Sequence, residues 1–273
     1  MGKDFNTISR MNNSKNMDLV IVCVTPMTDR EFFEQSALGK SLSQFPLQIV
    51  PKVILFSQND KKYGKVEGLG HLYNQALKNP NIYDFEIVAF VHDDVYIRDW
   101  NLIYHLKNGL SRYDVLGIVG SKNVIPGQCG WVHDISPKNI KKVVGVKGLD
   151  FSGTCRHVSM NGIDAAPDWF GIPGMECDVL DGLFLATKPS IIKNTGLRFD
   201  SRFDFHCYDI DFCYTAKNLN LSLGTWYIAV DHDCESKGYT DDWFENSYKL
   251  KEKWLGKDKS KWFSQENRYI FEE

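Results

Sequence analysis

The sequence predicts an α/β fold in which a mostly parallel central sheet is flanked by helices. Over the first 120 residues, apolar runs typical of strands alternate with amphipathic stretches typical of helices, a rhythm that builds parallel sheets. One run, Ile87 to Val91, is apolar without a break, as expected of a central strand covered on both faces. The 273 residues contain no internal repeat and no low-complexity linker, so we expect one domain.

Composition and charge exclude several classes of protein. The formal net charge is −3, whereas a protein that coats nucleic acid needs a basic face, so we expect no nucleic-acid partner. No apolar run approaches the length of a membrane span, and we expect no signal peptide. The seven cysteines are scattered without a Cys-x-x-Cys pair, which makes a poor disulfide framework and a poor zinc site. We therefore expect mostly buried, reduced thiols in a cytoplasmic protein.

The first half of the chain supplies the predicted elements of the parallel sheet. Residues 1–17 are polar with little periodicity, and we expect a mobile tail. Thr28 or Asp29 is placed to cap a helix. The predicted elements are a strand at 18–24, a helix at 30–43, a strand at 48–56, a helix at 67–77, the strand at 87–91, a helical stretch ending near 112 and a strand at 114–120.

Two carboxylates, Asp93 and Asp94, follow the central apolar run almost directly. In open α/β sheets, ligands collect at the carboxyl ends of the strands. Carboxylate oxygens are hard donors, so this pair is a candidate seat for Mg²⁺ or Mn²⁺ carrying phosphate oxygens. The alternative is that both residues serve as turn and helix-cap residues.

The second half begins with an irregular stretch, residues 121–176, rich in Gly, Pro, Asn and aromatic residues. The stretch is predicted either as a functional loop or lid, or as a set of antiparallel hairpins, with a short Val-rich strand near 142–146. The elements predicted after it are a strand at 178–187, a short helix, a helix from 209 to 219, a strand at 221–230 and a helix at about 241–254.

Six lysines, at 249, 251, 253, 257, 259 and 261, lie in and after the last helix. They are candidates for peripheral contact with an anionic membrane or a lipid-linked acceptor. The interleaved Glu252 and Asp258 favour a solvated helix face instead.

The polar residues at the ends of these elements form an ordered set of motifs. They are Val-Cys-Val-Thr25, Leu-Tyr-Asn74-Gln-Ala, Phe-Val-His92-Asp93-Asp94-Val, Leu-Asp181-Gly-Leu-Phe, Phe-His-Cys-Tyr-Asp209-Ile-Asp211, and His232 after the last strand. In this order they resemble the GT-A glycosyltransferases, in particular the non-processive, family-2-like group. The resemblance covers roughly residues 18–239. It implies a GT-A (Rossmann-like) fold with a donor half at about 18–120, an acceptor half at about 121–240 and a C-terminal helix within 241–273.

The resemblance implies a divalent ion, Mn²⁺ or Mg²⁺, bound by Asp94 and His232 and bridging the diphosphate of a nucleotide-sugar. His92 stands where the family has the first Asp of its D-x-D-like motif, and it either faces the nucleotide or diphosphate or simply packs. The residues implied at the nucleotide are Thr25, Pro26, Asn59, Asp60, Asn74, His92 and Asp93. For Thr25, Pro26, Asn59 and Asp60, the alternative is an ordinary structural role in turns.

The family's catalytic carboxylate maps to Asp209, which would take the proton from the acceptor hydroxyl. Because Asp209 begins a predicted helix, an N-cap role is the alternative. Asp181 and Asp211 are the reserve candidates for the base, and Asp181 could instead contact the acceptor sugar. Asp211 lies about 200° round the helix from Asp209, so both cannot face one acceptor.

The implied function is transfer of one sugar, with inversion, from a nucleotide-diphosphate-sugar, UDP-sugar favoured, to a hydroxyl of a glycan or glycoconjugate. No Gln-x-x-Arg-Trp motif, which processive members carry, occurs near the C-terminus. Trp131, Trp169 and Phe170 are candidates for a floor under an acceptor sugar, or are ordinary core and surface aromatics. The alternative functions are an inactive GT-A-like module that binds carbohydrate or nucleotide, and a metal-dependent nucleotidyltransferase.

Overall fold

The computed structural model describes residues 17–64, 66–135, 142–158, 167–233, 240–258 and 270–271. The predicted N-terminal tail lies outside the described residues except for its last position, and Cys234 and the lysines at 259 and 261 also lie outside them.

The strands and helices are numbered here in chain order. They are β1 Leu19–Val24, α1 Asp29–Gln35, α2 Ala37–Gln44, β2 Lys52–Phe56, α3 Leu69–Leu77, β3 Ile87–Val91, β4 Val95–Ile97, α4 Leu102–Leu110, β5 Val115–Gly117, β6 Val119–Ser121, β7 His133–Asp134, β8 Lys142–Val144, β9 Phe151–His157, β10 Asp168–Gly171, β11 Glu176–Cys177, β12 Val179–Leu180, β13 Phe184–Thr187, α5 Pro189–Thr195, α6 Tyr208–Asn218, β14 Leu223–Thr225, β15 Val230–His232, α7 Asp241–Leu255 and β16 Ile270–Phe271. Short 3₁₀ helices lie at Lys61–Tyr63 and Pro80–Asp84.

The central sheet has seven strands in the order β2-β1-β3-β13-β5-β14-β11. Strands β1, β2, β3, β5 and β14 run in one direction, and β13 and β11 run in the other. Helices cover both faces, so the predicted α/β fold with a mostly parallel sheet is confirmed. Strand β13 is largely apolar and fully buried, a composition typical of central parallel strands, yet it runs antiparallel to both neighbours. Its burial between β3 and β5 accounts for that composition in either direction.

A second sheet has the order β12-β6-β9-β15-β4, with β10 paired to β9. The irregular stretch supplies two of its six strands, β9 and β10, which form an antiparallel pair. Of the two interpretations of that stretch, antiparallel hairpins are therefore correct where the structure describes it, and the Val-rich strand near 142 is present as β8. A small third sheet joins β7, β8 and β16.

Several predicted elements are divided in the structure. The helix expected at 30–43 is two helices, because Ser36 adopts an extended conformation and its hydroxyl accepts the Gly39 N–H to cap α2. The strands expected at 114–120, 178–187 and 221–230 each split into two short strands that belong to different sheets. Strand β4 was not predicted from the sequence. Its partner is β15, which is remote in the sequence, so local patterning gave no sign of it.

The hydrophobic core lies on both faces of the central sheet. On one face, Val22 and Phe90 pack with Tyr73 of α3 and Phe212 of α6. On the other, Ile21 and Ala89 pack with α1, α2 and α4. The cysteines that the structure describes are all free and buried, as expected: Cys23, Cys129, Cys155, Cys177, Cys207 and Cys213.

The solvated lysine face that the sequence favoured is present only in part: Lys249 and Lys257 are exposed, whereas Lys251 and Lys253 are not. Lys251 is completely buried, and its ammonium group lies 2.9 Å from a carboxylate oxygen of Asp134. Lys253 forms ion pairs with Asp200 and Asp211. These lysines therefore attach the C-terminal helix to the rest of the fold. No helix in the described ranges is both long enough and apolar enough to span a membrane.

Candidate active site

The predicted site residues converge at one edge of the central sheet. Strands β1 and β3 end there, and the antiparallel β13 begins there, with the His92 N–H donating to the Leu183 carbonyl at 3.1 Å. Thr25, the residues from His92 to Asp94, and Asp181 therefore lie along the same edge. The carbonyl of Asp93 also accepts the N–H of Leu38, which ties this edge to the start of α2.

Asp93 is held by Thr25. The Thr25 hydroxyl donates to the Asp93 Oδ2 at 2.6 Å, and the Thr25 oxygen accepts the Met27 N–H. Burial raises the pKa of Asp93, and the adjacent charge of Asp94 adds to the rise, while the Thr25 hydrogen bond opposes it. The Thr25 hydroxyl therefore orients the Asp93 carboxylate, and the Thr25 side chain is already used in these hydrogen bonds.

Three residues could hold a metal ion: His92, Asp94 and His232 offer donor atoms that all lie within 4.8 Å of one another. The His232 Nε2 is 3.4 Å from the Asp94 Oδ2, and the His92 Nδ1 is 4.0 Å from the Asp94 Oδ1. Among the described residues, the Asp94 Oδ1 and the His232 Nδ1 are buried and have no hydrogen-bond partner. Buried polar atoms are rarely left unpaired, and a cation between these groups would satisfy the carboxylate.

The electrostatics of the group keep Asp94 ionised. Burial by itself raises the Asp94 pKa, but the hydrogen bond with His232 and the neighbouring imidazoles outweigh it, and the net pKa lies below the usual value. Burial likewise lowers the pKa of His232, yet the contact with Asp94 and the nearby carboxylates raise it overall. An anionic Asp94 is the form that binds a cation.

The orientation of His92 is set by Tyr208. The Tyr208 hydroxyl donates its one proton to the Gly182 carbonyl at 3.0 Å, so it accepts from the His92 Nε2, which is 2.6 Å away. The neutral imidazole then carries its proton on Nε2 and presents the Nδ1 lone pair toward Asp94. Such fixing of a ligand's tautomer by an outer hydrogen bond is typical of metal sites.

Asp209 lies at the start of α6, as predicted, and is half-buried. Its Oδ2 accepts the Gly182 N–H at 3.0 Å. Burial raises the pKa of Asp209 to about 7, with the charge of Asp181 contributing and backbone hydrogen bonds opposing. A carboxylate with a pKa near 7 is well matched to general-base catalysis at neutral pH.

Asp181 and Asp211 are placed differently. Asp181 lies at the same edge, half-buried, and its Oδ1 accepts the Leu183 N–H at 2.9 Å. Asp211 is fully buried, accepts from the Trp254 indole at 2.8 Å and lies 2.6 Å from the Lys253 ammonium. The structure therefore brings Asp181 to the site, whereas Asp211 joins α6 to α7.

The residues predicted to line a nucleoside pocket are engaged mainly with backbone. The side-chain amide of Asn59 hydrogen-bonds to the backbone of Glu67 through both its nitrogen and its oxygen. The side-chain amide of Asn74 does the same to the backbone of Phe199. Asp60 caps the 3₁₀ helix at Lys61, and Pro26 is exposed beside Thr25. A role for these residues in binding a nucleoside stays a prediction.

A cavity of about 230 Å³ reaches one member of the metal-ligand group and the candidate base. His92 and Asp209 both line it, together with Trp131, Phe205 and Trp243. Trp131 packs edge-on against Phe170 of β10. Trp169, also on β10, is half-exposed. The sequence suggested Trp131, but it gave no sign of the Tyr208 link between His92 and Gly182.

Comparisons with known proteins were made by sequence and by fold. No family model and no curated protein matches this sequence. Three solved structures illustrate the similarity in fold. TarS from S. aureus is 15% identical with a TM-score of 0.46, covering 86% of this chain and 39% of TarS. TarS residues 1-349 in complex with UDP is 12% identical with a TM-score of 0.43, covering 86% and 63%.

A Drosophila β1,4-galactosyltransferase 7 mutant in complex with manganese, UDP-Gal and xylobiose is 10% identical, with a TM-score of 0.44. The match covers 84% of this chain and 79% of that one. This chain thus spans less than two thirds of either TarS structure.

Proposed function

We propose that this chain is a metal-dependent glycosyltransferase that moves one sugar from a nucleotide-diphosphate-sugar, UDP-sugar favoured, to a hydroxyl of a glycan or glycoconjugate with inversion. The supporting observation is a three-residue metal-ligand group, of which His92 lines the same cavity as Asp209, a carboxylate of pKa about 7. The cytoplasm suits the free, buried thiols among the described residues.

His92, Asp94 and His232 would hold the divalent ion. Two imidazoles and a carboxylate suit Mn²⁺ better than Mg²⁺, which prefers oxygen ligands throughout. When bound there, the ion supplies Lewis-acid stabilisation of the diphosphate leaving group. Asp93, oriented by Thr25, would contact the nucleotide-sugar beside that ion.

Asp209 would act as the base. Its carboxylate takes the proton from the acceptor hydroxyl as the acceptor oxygen bonds to the anomeric carbon. The bond between that carbon and the diphosphate oxygen breaks, and the nucleoside diphosphate leaves with the electron pair. Burial keeps the pKa of Asp209 high, and the charge of Asp181 adds to the rise.

The test is the substitution Asp209→Asn. We expect transfer from the preferred UDP-sugar to fall by about 10²–10⁴-fold, because the amide cannot accept the proton, while donor affinity is unchanged. Product formation and donor binding are measured separately, with Mn²⁺ and with a chelator. Transfer within a few-fold of wild type would move the base to Asp181. Donor binding with no transfer by wild type to any of a range of acceptors would favour a binding module.

A further inference from the structure

A second group of metal-ligand side chains lies on the neighbouring strand. Strands β9 and β15 are parallel, and His157 is paired with His232 in their register. Cys155 lies two residues before His157 on the same strand, and thus on the same face. The donor atoms of Cys155, His157 and His232 all lie within 4.8 Å of one another, and the two imidazole centres are 5.4 Å apart.

The orientation of His157 is fixed by a carboxylate. Its Nδ1 lies 2.6 Å from the Asp168 Oδ2, across the β9–β10 pair. A neutral imidazole that donates from Nδ1 to a carboxylate leaves its Nε2 lone pair free. A carboxylate behind a histidine in this way is a common outer support of metal-binding imidazoles.

We propose that Cys155, His157 and His232 form a second metal site, one for a soft divalent ion such as Zn²⁺. One sulfur and two nitrogen donors match the ligands of zinc and disfavour Mn²⁺, which prefers oxygen. Zinc bonds of about 2.3 Å to sulfur and 2.0 Å to nitrogen place donors roughly 3.5 Å apart, so closure needs shifts of about 1 Å. On binding, the Cys155 thiol proton leaves to solvent, and water takes the fourth position.

The two sites compete because they share His232. Its Nε2 faces Asp94, while its Nδ1 is buried and has no hydrogen-bond partner in the part of the chain that the structure describes. A neutral imidazole has one lone pair, so the tautomer that serves one site cannot serve the other. Zinc held through His232 Nδ1 therefore removes a ligand from the group that binds the catalytic ion. This inhibitory consequence rests on the proposed function, whereas zinc binding itself does not.

The test for binding uses Co²⁺ as a spectroscopic substitute for zinc. Titrating Co²⁺ into the metal-free full chain should produce a thiolate-to-cobalt charge-transfer band, which Zn²⁺ then abolishes by displacement. Cys155→Ser should remove the band, and Asp168→Asn should weaken Co²⁺ binding by about 10–100-fold, the usual cost of losing such an outer partner. Cys177→Ser, another buried free thiol, is the matched control and should keep the band.

Circular dichroism and thermal melting establish that each variant is folded. Asp168 and His157 have side chains that are 44% and 42% exposed, so their substitution should not disrupt the core even if Cys155→Ser does. Absence of a band in wild type, or an undiminished band in folded Cys155→Ser or in both Asp168→Asn and His157→Gln, would overturn the site.

The competition is tested by transfer in saturating Mn²⁺ with added Zn²⁺. We expect inhibition of the wild type and at least tenfold weaker inhibition of His157→Gln. Equal inhibition of both proteins would disprove the competition through His157 and His232. If wild type transfers no sugar at all, the proposed function fails, while the cobalt band still decides the metal site.

Discussion

At the scale of single residues, the position of Asp209 reconciles two roles that the sequence left open. It sits in the first turn of α6, where a carboxylate is favoured by the helix dipole, and it also lines the cavity. Its carboxylate accepts a hydrogen bond from the Gly182 N–H and has a pKa of about 7. A position that is structurally favourable can therefore also supply the base.

The pH dependence of transfer tests the role of Asp209. The base must be deprotonated, so kcat/KM should be half-maximal near pH 7 and fall about tenfold for each pH unit below it. The charge of Asp181 contributes to the raised pKa of Asp209, so Asp181→Asn should shift this acid limb to lower pH. A pH profile of the two proteins, with saturating Mn²⁺, measures both effects. An acid limb that stays in place in Asp181→Asn would contradict the electrostatic coupling.

Much of the candidate site could be predicted because strand ends are visible in the sequence. Asp94 follows an unbroken apolar run and His232 follows the last predicted strand, and the structure brings their side chains together. Asp211 and Asn74 could not be judged in the same way, because their partners, Lys253 and the Phe199 backbone, are remote in the sequence. The sequence shows that a polar side chain is present, but not which residue forms its ion pair or hydrogen bond.

At the scale of elements, the site depends on close packing between the start of α6 and the turn before β13. A Cβ added at Gly182 would lie 2.8 Å from the Asp209 Cβ and closer still to the Tyr208 hydroxyl. Only glycine lets both contacts form, so this turn positions the base and the tyrosine that orients His92.

Gly182→Ala should therefore reduce transfer by tenfold or more by displacing Asp209, with a loss of about 1–3 kcal/mol of stability from overpacking. Gly196→Ala is the matched control. Gly196 has φ +74° and nothing near the added Cβ, so strain should lower stability there too without lowering transfer. Initial rates and urea unfolding compare the two variants. Equal transfer by both would show that Gly182 does not position Asp209.

Helix α7 is attached to the fold by a buried ion pair. Lys251→Met would leave the carboxylate of Asp134 buried without its partner, a change that typically costs about 3–5 kcal/mol. Lys257→Met, whose side chain is 90% exposed, should cost at most about 1 kcal/mol. Urea unfolding at pH 7 measures the difference. A loss below about 1 kcal/mol for Lys251→Met would mean that the pair does not anchor the helix.

The predictable part of the fold is the part governed by local pattern. The strands at Leu19–Val24 and Ile87–Val91 and the helices at Leu69–Leu77 and Asp241–Leu255 follow from apolar periodicity. The splitting of 114–120 into β5 and β6 does not, because all seven positions except the first are buried and apolar or small. Sheet membership is decided by remote partners, such as β14 for β5 and β9 for β6.

At the scale of the whole molecule, the metal-ligand group is assembled by the meeting of two sheets. The central sheet supplies His92 and Asp94 beyond the end of β3, and the second sheet supplies His232 at the end of β15. Strand β4, which follows Asp94 directly, pairs with β15 and places His232 opposite Val95. Folding of both sheets is therefore required before the site exists, and a ligand that bridges them should stabilise the entire fold.

The most direct test is thermal unfolding of the full chain with UDP and UDP-sugars, with and without Mn²⁺, in wild type and Asp94→Ala. A ligand at 100 times its Kd stabilises the native state by about 2.7 kcal/mol. At roughly 2–4 °C per kcal/mol, the wild-type Tm should rise by about 5–10 °C, and only when Mn²⁺ is present. Asp94→Ala should show no Mn²⁺-dependent rise. No shift in folded wild type, or an equal shift without Mn²⁺ or in Asp94→Ala, would contradict a metal-dependent nucleotide-sugar site at His92, Asp94 and His232.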